Sequence, residues 1–490
     1  MDIPTFFSDK QDIIKYDYNK INELVNSDIN HYKFIENLSV YDPEKTLCKQ
    51  YFQSIMFGQN HIFIQKILDK LQTQNICLPL LHNWLSTSDT KHTRIDNLVI
   101  INDPYDCERI CKNNVKKAPI FKSFLYNSII STTDNKDWKE QRTEMNIPFI
   151  PSLNIKKNVF PKSITRAKYC SQLLKQISNN CKQSVNICEF FLNETQAQLQ
   201  LAMFGFSQEF EQKTNKKIRD AFAGIDTGYT DQFSYEALQE TQTATGPLSK
   251  VFDINDDIYK NKGNMIILSF AGHDTTGDTL TWLLYELCKN PIYKQELIKE
   301  IDSYWLKHEE PTYDTLNELP FMTKCITETL RLWPALANGT YRELEQDETI
   351  KGINGESAIV KKGTYVQIMN WNRHRNQDLW GSDVNQFNPY RQFKDSEIWS
   401  YKGFGTTTQQ SDRFSPFTYG PRNCVGKNFS QAEMRLILLY LFKDYDFLLT
   451  QEQLNHDIKS INLFTMGPGS YKQDELLGLY VNVVPRKSRL

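Results

Sequence analysis

Long apolar runs are missing where a membrane protein would need them. The N-terminus, Met1-Asp-Ile-Pro-Thr-Phe-Phe-Ser-Asp-Lys, has no stretch of signal or anchor length. The expectation is therefore a soluble, cytoplasmic chain with no transmembrane anchor, with peripheral membrane contact left open. An excess of charge of one sign is also missing. Lys and Arg number 57 against 59 Asp and Glu, a net charge of −2, which argues against nucleic acid as a partner, because binding phosphates needs a basic surface. The ten cysteines lack any paired CxxC spacing, which argues against a zinc site or a disulfide framework and suits a reducing compartment. Cys107 and Cys111, four apart in a predicted helix, are expected to be a core and a surface thiol. Internal repeats and interdomain linkers are absent. Gly403-Phe404-Gly405 is too slight for a dinucleotide site and reads as a loop.

What is present is a chain of 490 residues, 40% hydrophobic, long enough for a large core. Residues 1–55 are polar and read as an N-terminal extension with short helices; residues 56–490 read as the folded domain. A helical pattern runs through Phe63-Ile-Gln-Lys-Ile-Leu-Asp-Lys-Leu. Strand-like pieces follow, ending in Asn97-Leu-Val-Ile-Ile-Asn-Asp-Pro104. Helical periodicity then dominates around Trp138, from Glu189 to Phe204, from Asn261 to Lys289 and from Phe321 to Leu332. Residues 226–246, rich in Gly, Thr, Gln and Asp, are expected to form a mobile loop. The fold class is mainly α with a small β-sheet region, in one large domain.

The most informative stretch is Phe417-Thr-Tyr-Gly420-Pro-Arg422-Asn-Cys424-Val-Gly426, directly before a predicted helix. A cysteine binds metal as the thiolate and needs N–H groups and a positive environment to stay ionised; the helix that opens near Lys427 would point its positive end at the sulfur. Gly420 and Gly426 would let the loop turn sharply and lie close to a flat macrocycle, and Arg422 could pair with a carboxylate on it. A lone cysteine in a turn is more often a buried structural thiol; the full constellation outweighs that reading. A second signal is Ala271-Gly272-His273-Asp274-Thr275-Thr276 inside a long apolar helix. Short polar side chains at mid-helix compete with the backbone ladder, and such local violations mark functional sites. Ala271 and Gly272 would admit a flat cofactor and a diatomic ligand. Thr275 could hydrogen-bond oxygen or a water, lodged where the ladder opens, and Asp274 could feed protons inward.

Cys424 and its neighbours resemble the haem-binding loop of the cytochrome P-450 family, and the helix signal resembles that family's acid–alcohol pair. The resemblance implies a cytochrome P-450-type domain enclosing haem b, with Cys424 as the iron ligand and Asp274 and Thr275 as the proton-delivery residues. Thr418 departs from the family's usual Ser, Gly, Asn or His. Glu328-Thr-Leu-Arg331 and Phe387-Asn-Pro-Tyr-Arg391 resemble its buried triad, which implies Glu328, Arg331 and Arg391 as members. Trp138 and Arg142, at i and i+4 on one helical face, are implied as haem propionate partners, as is Arg342. The resemblance covers residue 60 to the end. Between Gly205 and Ala271, where relatives build lid helices, the chain looks short, which puts the usual lid in doubt.

If the resemblance holds, the chain is a monooxygenase that inserts one oxygen atom from O2 into a C–H bond of a lipophilic small-molecule substrate: a sterol, terpene, fatty acid or xenobiotic. Pocket contributors would be Phe270, Ala271, residues 118–130, residues 335–340 and Leu463-Phe464. Electrons would come from external NAD(P)H through a separate reductase or ferredoxin, with Arg413, Lys427 and Arg435 as candidates for docking an acidic partner. The alternatives are a family member that rearranges peroxides or isomerises without electrons, and a non-catalytic haem-binding sensor.

Overall fold

The computed structural model describes residues 51–486 except 52–53, 56–57, 82–94, 225–227, 254, 353–354, 403–404, 407–408, 456–457, 463 and 473–474. The expected polar extension falls outside these residues but for Tyr51, Ser54 and Ile55; Tyr51 is buried against Phe63.

Helix α1 (Asn60–Leu71) buries Phe63, Ile64, Ile67 and Leu68 along one stripe. Strand β1 (Asn75–Leu81) pairs antiparallel with β2 (Ile95–Ile101). Helix α2 (Pro104–Asn113) starts on Asp103, whose carboxylate accepts the Asp106 N–H, with Pro104 at the first helical position. Cys107 and Cys111 both lie on its inward face, 0% and 1% exposed. The expected surface thiol is thus a core thiol, since i and i+4 share one face. Helix α3 (Asn135–Asn146) is capped by Asp134. Helices α4 (Phe160–Ile177) and α5 (Ile187–Gln198) follow, and α5 continues as wide π-type turns over Leu199–Phe204.

Where a mobile loop and a shortened lid were expected, the chain forms α6 (Gln208–Phe222) and α7 (Tyr229–Glu240). Tyr229, Phe233 and Ala237, spaced four apart, are buried on one face of α7, so tertiary packing overrides the weak helix propensity of its polar residues. The 32-residue α8 (Ile258–Lys289) starts on Asp257, whose carboxylate accepts two N–H groups; it packs on α5, α7 and α10. Helices α9 (Pro291–Lys307) and α10 (Pro320–Leu332) precede strands β3 (Thr340–Glu343) and β4 (Tyr365–Ile368). The principal sheet has the order β1-β2-β4-β3, with β2 and β4 parallel. Helix α11 (Lys427–Asp444) follows the cysteine loop, and β5 (Lys459–Asn462) pairs antiparallel with β6 (Met466–Lys472). Among the described residues no helix is long and apolar enough to cross a membrane.

Two buried glutamates stand in opposite circumstances. Glu328, on α10, accepts from Arg331 at 2.7 and 2.8 Å, from Arg391 Nε at 3.1 Å and from the Asn388 N–H at 3.0 Å. Arg331 also donates to the carbonyls of His374 and Val384, and Arg391 to the Asp383 carboxylate, so the triad ties α10 to the segment that leads toward the cysteine loop. Glu433, on α11, is 1% exposed and neither of its oxygens has a partner among the described residues. Burial, then the nearby Glu194, push its carboxyl well above the usual range. Glu328→Gln should therefore cost about 3–5 kcal/mol by stranding two guanidinium charges, seen as a lower urea midpoint. Glu433→Gln should do the reverse near neutral pH. The unfolded wild-type chain releases that proton above pH ~4.3 while the folded chain keeps it, so stability falls as pH rises. The Gln variant should be more stable at pH 7 and lose that slope in urea titrations run across pH.

Candidate active site

The cysteine loop is folded by its own backbone. The Cys424 N–H donates to Phe417 O at 2.9 Å, Asn423 N–H to Gly420 O at 3.1 Å, and Thr418 Oγ1 to Arg422 O at 3.0 Å. Gly420 has φ +71°, and a Cβ there would lie 2.8 Å from Cys111 O on α2; both conformation and space require glycine. Gly426 sits at an ordinary φ of −81° with only Phe149 and Cys424 Sγ nearby, beyond 3.6 Å from an added Cβ. Thr418, the departure from the family pattern, holds φ +61°, a strained conformation for a β-branched residue.

The Cys424 sulfur receives the N–H groups of Gly426 and Lys427 at the start of α11. Burial pushes the thiol up, opposed by those N–H groups and by the charges of Arg142 and Lys427. A sulfur so placed becomes a stable thiolate when a cation sits on it. Cys424 is exposed, while Tyr419 and Arg422 of the same loop are buried.

Arg142 on α3 donates to both the backbone and side-chain oxygens of Asn423, at 2.5 and 2.6 Å, so it braces the loop beside the sulfur. Trp138, one turn earlier, lies under the Arg422 guanidinium at 4.3 Å. Arg422 donates to the carbonyls of Val115 and Ile129 at 3.0 and 3.1 Å, and its Nη2 is buried without a partner. Arg342, 0% exposed on β3, donates to Thr340 Oγ1 and keeps Nε and Nη2 buried and unpartnered. Lys117 donates to the same Thr340 hydroxyl at 2.6 Å. Burial and the like charges of Arg342 and Arg422 hold Lys117 well below its usual range, and Arg422 is brought down to about 9 by burial, then by Arg342. Three buried cations with idle N–H groups fit the carboxylates of a bound porphyrin, and the accessible sulfur fits its iron. Lys117 escaped the sequence reading, because its burial comes from a β-bridge to Arg342 far along the chain.

On α8 the turns before and after residue 270 are buried, whereas Ala271 is exposed and Phe270, Gly272, Asp274 and Thr275 are half-buried. The helix does not open there. Thr275 Oγ1 bonds back to Ala271 O at 2.9 Å, and Thr279 and Thr281 back-bond similarly, so the hydroxyls follow the ladder without breaking it. A Cβ on Gly272 would meet Leu199 Cδ2 at 2.8 Å, so its smallness serves helix–helix contact. Asp274 accepts from Thr465 Oγ1, and His273 Nε2 lies 3.8 Å from its Oδ1. His273 itself is buried, with Nδ1 at 2.8 Å from Ser269 O. Phe270 meets Phe464 edge-on at 5.9 Å, and Leu125, Ile129 and Ile130 pack with it; Leu463 lies outside the described residues.

The three basic residues named for partner docking do not form a free surface. Arg413 is held by Glu397 and lies over Trp380 at 4.0 Å. Arg435 is 0% exposed over Trp399, and Lys427 is buried beside Cys424. Charge in a sequence reads as surface; here aromatic faces and carboxylates accommodate it inside.

Comparison with known proteins agrees with this geometry. The family model described as Cytochrome P450 matches residues 256–473. Cytochrome P450 3A12 of Canis lupus familiaris is 33% identical over 187 residues, covering 37% of this chain and 33% of that protein. Cytochrome P450 3A29 of Sus scrofa is likewise 33% identical over 187 residues, with coverage of 37% and 33%. Cytokinin hydroxylase of Arabidopsis thaliana is 32% identical over 186 residues, with coverage of 37% and 32%. The chain matches about a third of each relative's length, and the family-model stretch contains α8, the triad and the cysteine loop. By that match residues 256–473 are similar to the cytochrome P450 family, and the mainly helical fold with small sheets is consistent with it.

Proposed function

We propose that residues 56–490 form a haem-thiolate monooxygenase domain that inserts one oxygen atom from O2 into a C–H bond of a lipophilic substrate. The electrons come from NAD(P)H through a separate reductase or ferredoxin. The observation that carries this reading is the exposed Cys424 beside the N–H groups that open α11. The idle guanidinium groups of Arg342 and Arg422 support it. Haem bound there supplies dioxygen activation at a thiolate-ligated iron.

The chain's own residues do the rest. Cys424 binds as the thiolate, and the N–H groups of Gly426 and Lys427 temper its charge. Lys117, Arg342 and Arg422 neutralise the two carboxylates of the macrocycle, with Trp138 fixing the plane of Arg422. Arg142 holds Asn423, so the sulfur keeps one position. Asp274 relays protons to Thr275 Oγ1, which passes them inward by rotating away from Ala271 O. Phe270, Phe464, Ile129 and Ile130 exclude water and favour apolar ligands. The name cytokinin hydroxylase, borne by one relative, is consistent with hydroxylation. Asp274 and Thr275 together favour an oxygenase over an electron-independent isomerase or a passive haem sensor.

The deciding experiment is the reduced, carbon-monoxide-bound difference spectrum of the purified protein. A red-shifted Soret band typical of thiolate ligation, lost in Cys424→Ser, is the expected result; a haem-free protein or a band typical of histidine ligation would sink the proposal. Thr275→Ala should keep that band and lower product formed per electron consumed by about tenfold or more; an unchanged yield removes Thr275 from the mechanism. Arg342→Leu should weaken haem retention on dialysis while leaving the position of the thiolate band unchanged.

A further inference from the structure

His374 closes the single helical turn Trp371–His374 and is 0% exposed. Its backbone belongs to the triad. The His374 carbonyl accepts from Arg331 Nη1 at 2.8 Å, and its N–H donates to Asn370 O at 2.9 Å. Its ring belongs to the cysteine loop. The Ser415 N–H donates to His374 Nε2 at 3.0 Å, and the ring lies tilted on Phe414, with centroids 5.2 Å apart. One buried residue thus joins the Glu328–Arg331 pair to the segment that opens the loop.

A backbone N–H can only donate, so Nε2 presents its lone pair and the neutral ring carries its hydrogen on Nδ1. That Nδ1 is buried and makes no hydrogen bond of good geometry among the described residues, although the carbonyls of Leu330 and Arg331 favour a proton on the ring. The charged groups around the ring are Arg331 of α10 and Arg373 of its own turn. A third positive charge in this enclosure would be costly. Burial, then Arg373 and Arg331, hold the imidazole well below its usual range. The ring is thereby kept in the one state that can accept from Ser415.

From Ser415 the connection runs on to the sulfur. Ser415 O accepts the Thr418 N–H at 3.0 Å, Thr418 Oγ1 donates to Arg422 O at 3.0 Å, and the Cys424 N–H donates to Phe417 O at 2.9 Å. Thr418 holds φ +61°, a conformation that persists only where neighbours over-determine it. The Ser415 side chain is pinned as well: its hydroxyl donates to Asn370 Oδ1 at 3.1 Å and accepts from Arg373 Nη2. Resting on the haem-thiolate reading, we propose that His374 is a positioning residue for Cys424: by accepting the Ser415 N–H it anchors the entrance of the cysteine loop to the triad and so sets where the sulfur stands. It acts through the loop's backbone.

The test compares wild type with His374→Leu, His374→Asn and His374→Gln, each as the full chain. Leucine comes close to imidazole in bulk but has no acceptor. Asparagine ends near the position of Nδ1, whereas glutamine carries its amide oxygen out to the position of Nε2. Hydrogen exchange at the Ser415 amide, read by mass spectrometry on peptides from the cysteine loop, needs no haem. It should speed up by about fivefold to tenfold in the leucine and asparagine variants, the factor that a lost hydrogen bond of ordinary strength gives, and return to the wild-type rate with glutamine. In the haem-loaded protein the leucine and asparagine variants should keep total haem but lose part of the thiolate band, and glutamine should restore it. A role through bulk alone would make leucine the mildest change. Unchanged Ser415 exchange in the leucine and asparagine variants overturns the proposal. Faster exchange with a full thiolate band overturns it too, because the loop entrance then does not place the sulfur, and the haem-thiolate reading stands. If wild type itself gives no thiolate band, that reading falls and this proposal with it. Should the leucine variant fail to fold, the asparagine variant decides.

Discussion

Lys117, Arg342 and Arg422 gather three cationic side chains in the interior, where Arg342 disfavours the charged forms of both Lys117 and Arg422. A buried charge without a counter-ion costs several kcal/mol even after relaxation, and like charges in one enclosure add to it. The protein meets part of that cost with Thr340, which accepts from two of the three, and with the carbonyls of Val115 and Ile129. Several guanidinium N–H groups still have nothing to donate to. The simplest resolution is an anionic guest, and much of the surrounding architecture makes sense as the means of holding one. The β-bridge from Lys117 to Arg342 keeps two of the cations together. Trp138 holds the third by its π-face, and α3 then continues to Arg142, which fixes Asn423 next to Cys424. Charge neutralisation on one side and sulfur placement on the other are thus set by one short helix.

The parts of this site that were legible in the sequence are those carried by contiguous residues. Phe417 to Gly426 is a closed loop whose hydrogen bonds run among its own members, so its residue types and its geometry coincide. Glu328 and Arg331 were legible because three residues is a helical neighbour distance, and the bidentate pair is what that spacing allows. Long-range burial was not legible. Lys117 looks like one more surface lysine until β3 arrives beside it. Arg413 and Arg435 were read as surface charge for the same reason, and the aromatic faces of Trp380 and Trp399 that enclose them come from elsewhere in the chain. Helix α7 was hidden by composition: its Gln, Thr and Asp residues suggest a loop, and only the four-residue spacing of Tyr229, Phe233 and Ala237 betrays the buried face. Gly272 shows the limit of motif reasoning in another way. The motif gives its identity, but which neighbour profits from the missing Cβ depends on the helix's rotation, and that neighbour is Leu199.

Buried acids divide in the same terms. Glu328 stabilises because two guanidinium groups and a backbone N–H meet it. Neither Asp278 nor Glu433 pairs with a cation among the described residues, and burial pushes both carboxyls well above the usual range. A neutral carboxyl in a core is a mild burden that an amide of the same shape would remove. Where such a residue persists, either its proton is useful or the burden is small enough to escape correction. Their surroundings differ. Neither oxygen of Glu433 has a hydrogen-bond partner among the described residues, and Glu194 is the charge that acts on it. Asp278 sits one turn from Asp274 on α8, and a Cβ on Gly467 of β6 would lie 2.6 Å from its Oδ1. Trp282, a further turn along, donates to Met466 O, so contact along this helix face ties the β5–β6 hairpin and its turn to α8. It also ties Phe464, on that same turn, to Phe270 on the cavity side of the helix. The hairpin that packs on α8 therefore also carries an aromatic wall beside Phe270, so the seating of the helix and the shape of that wall depend on one piece of backbone.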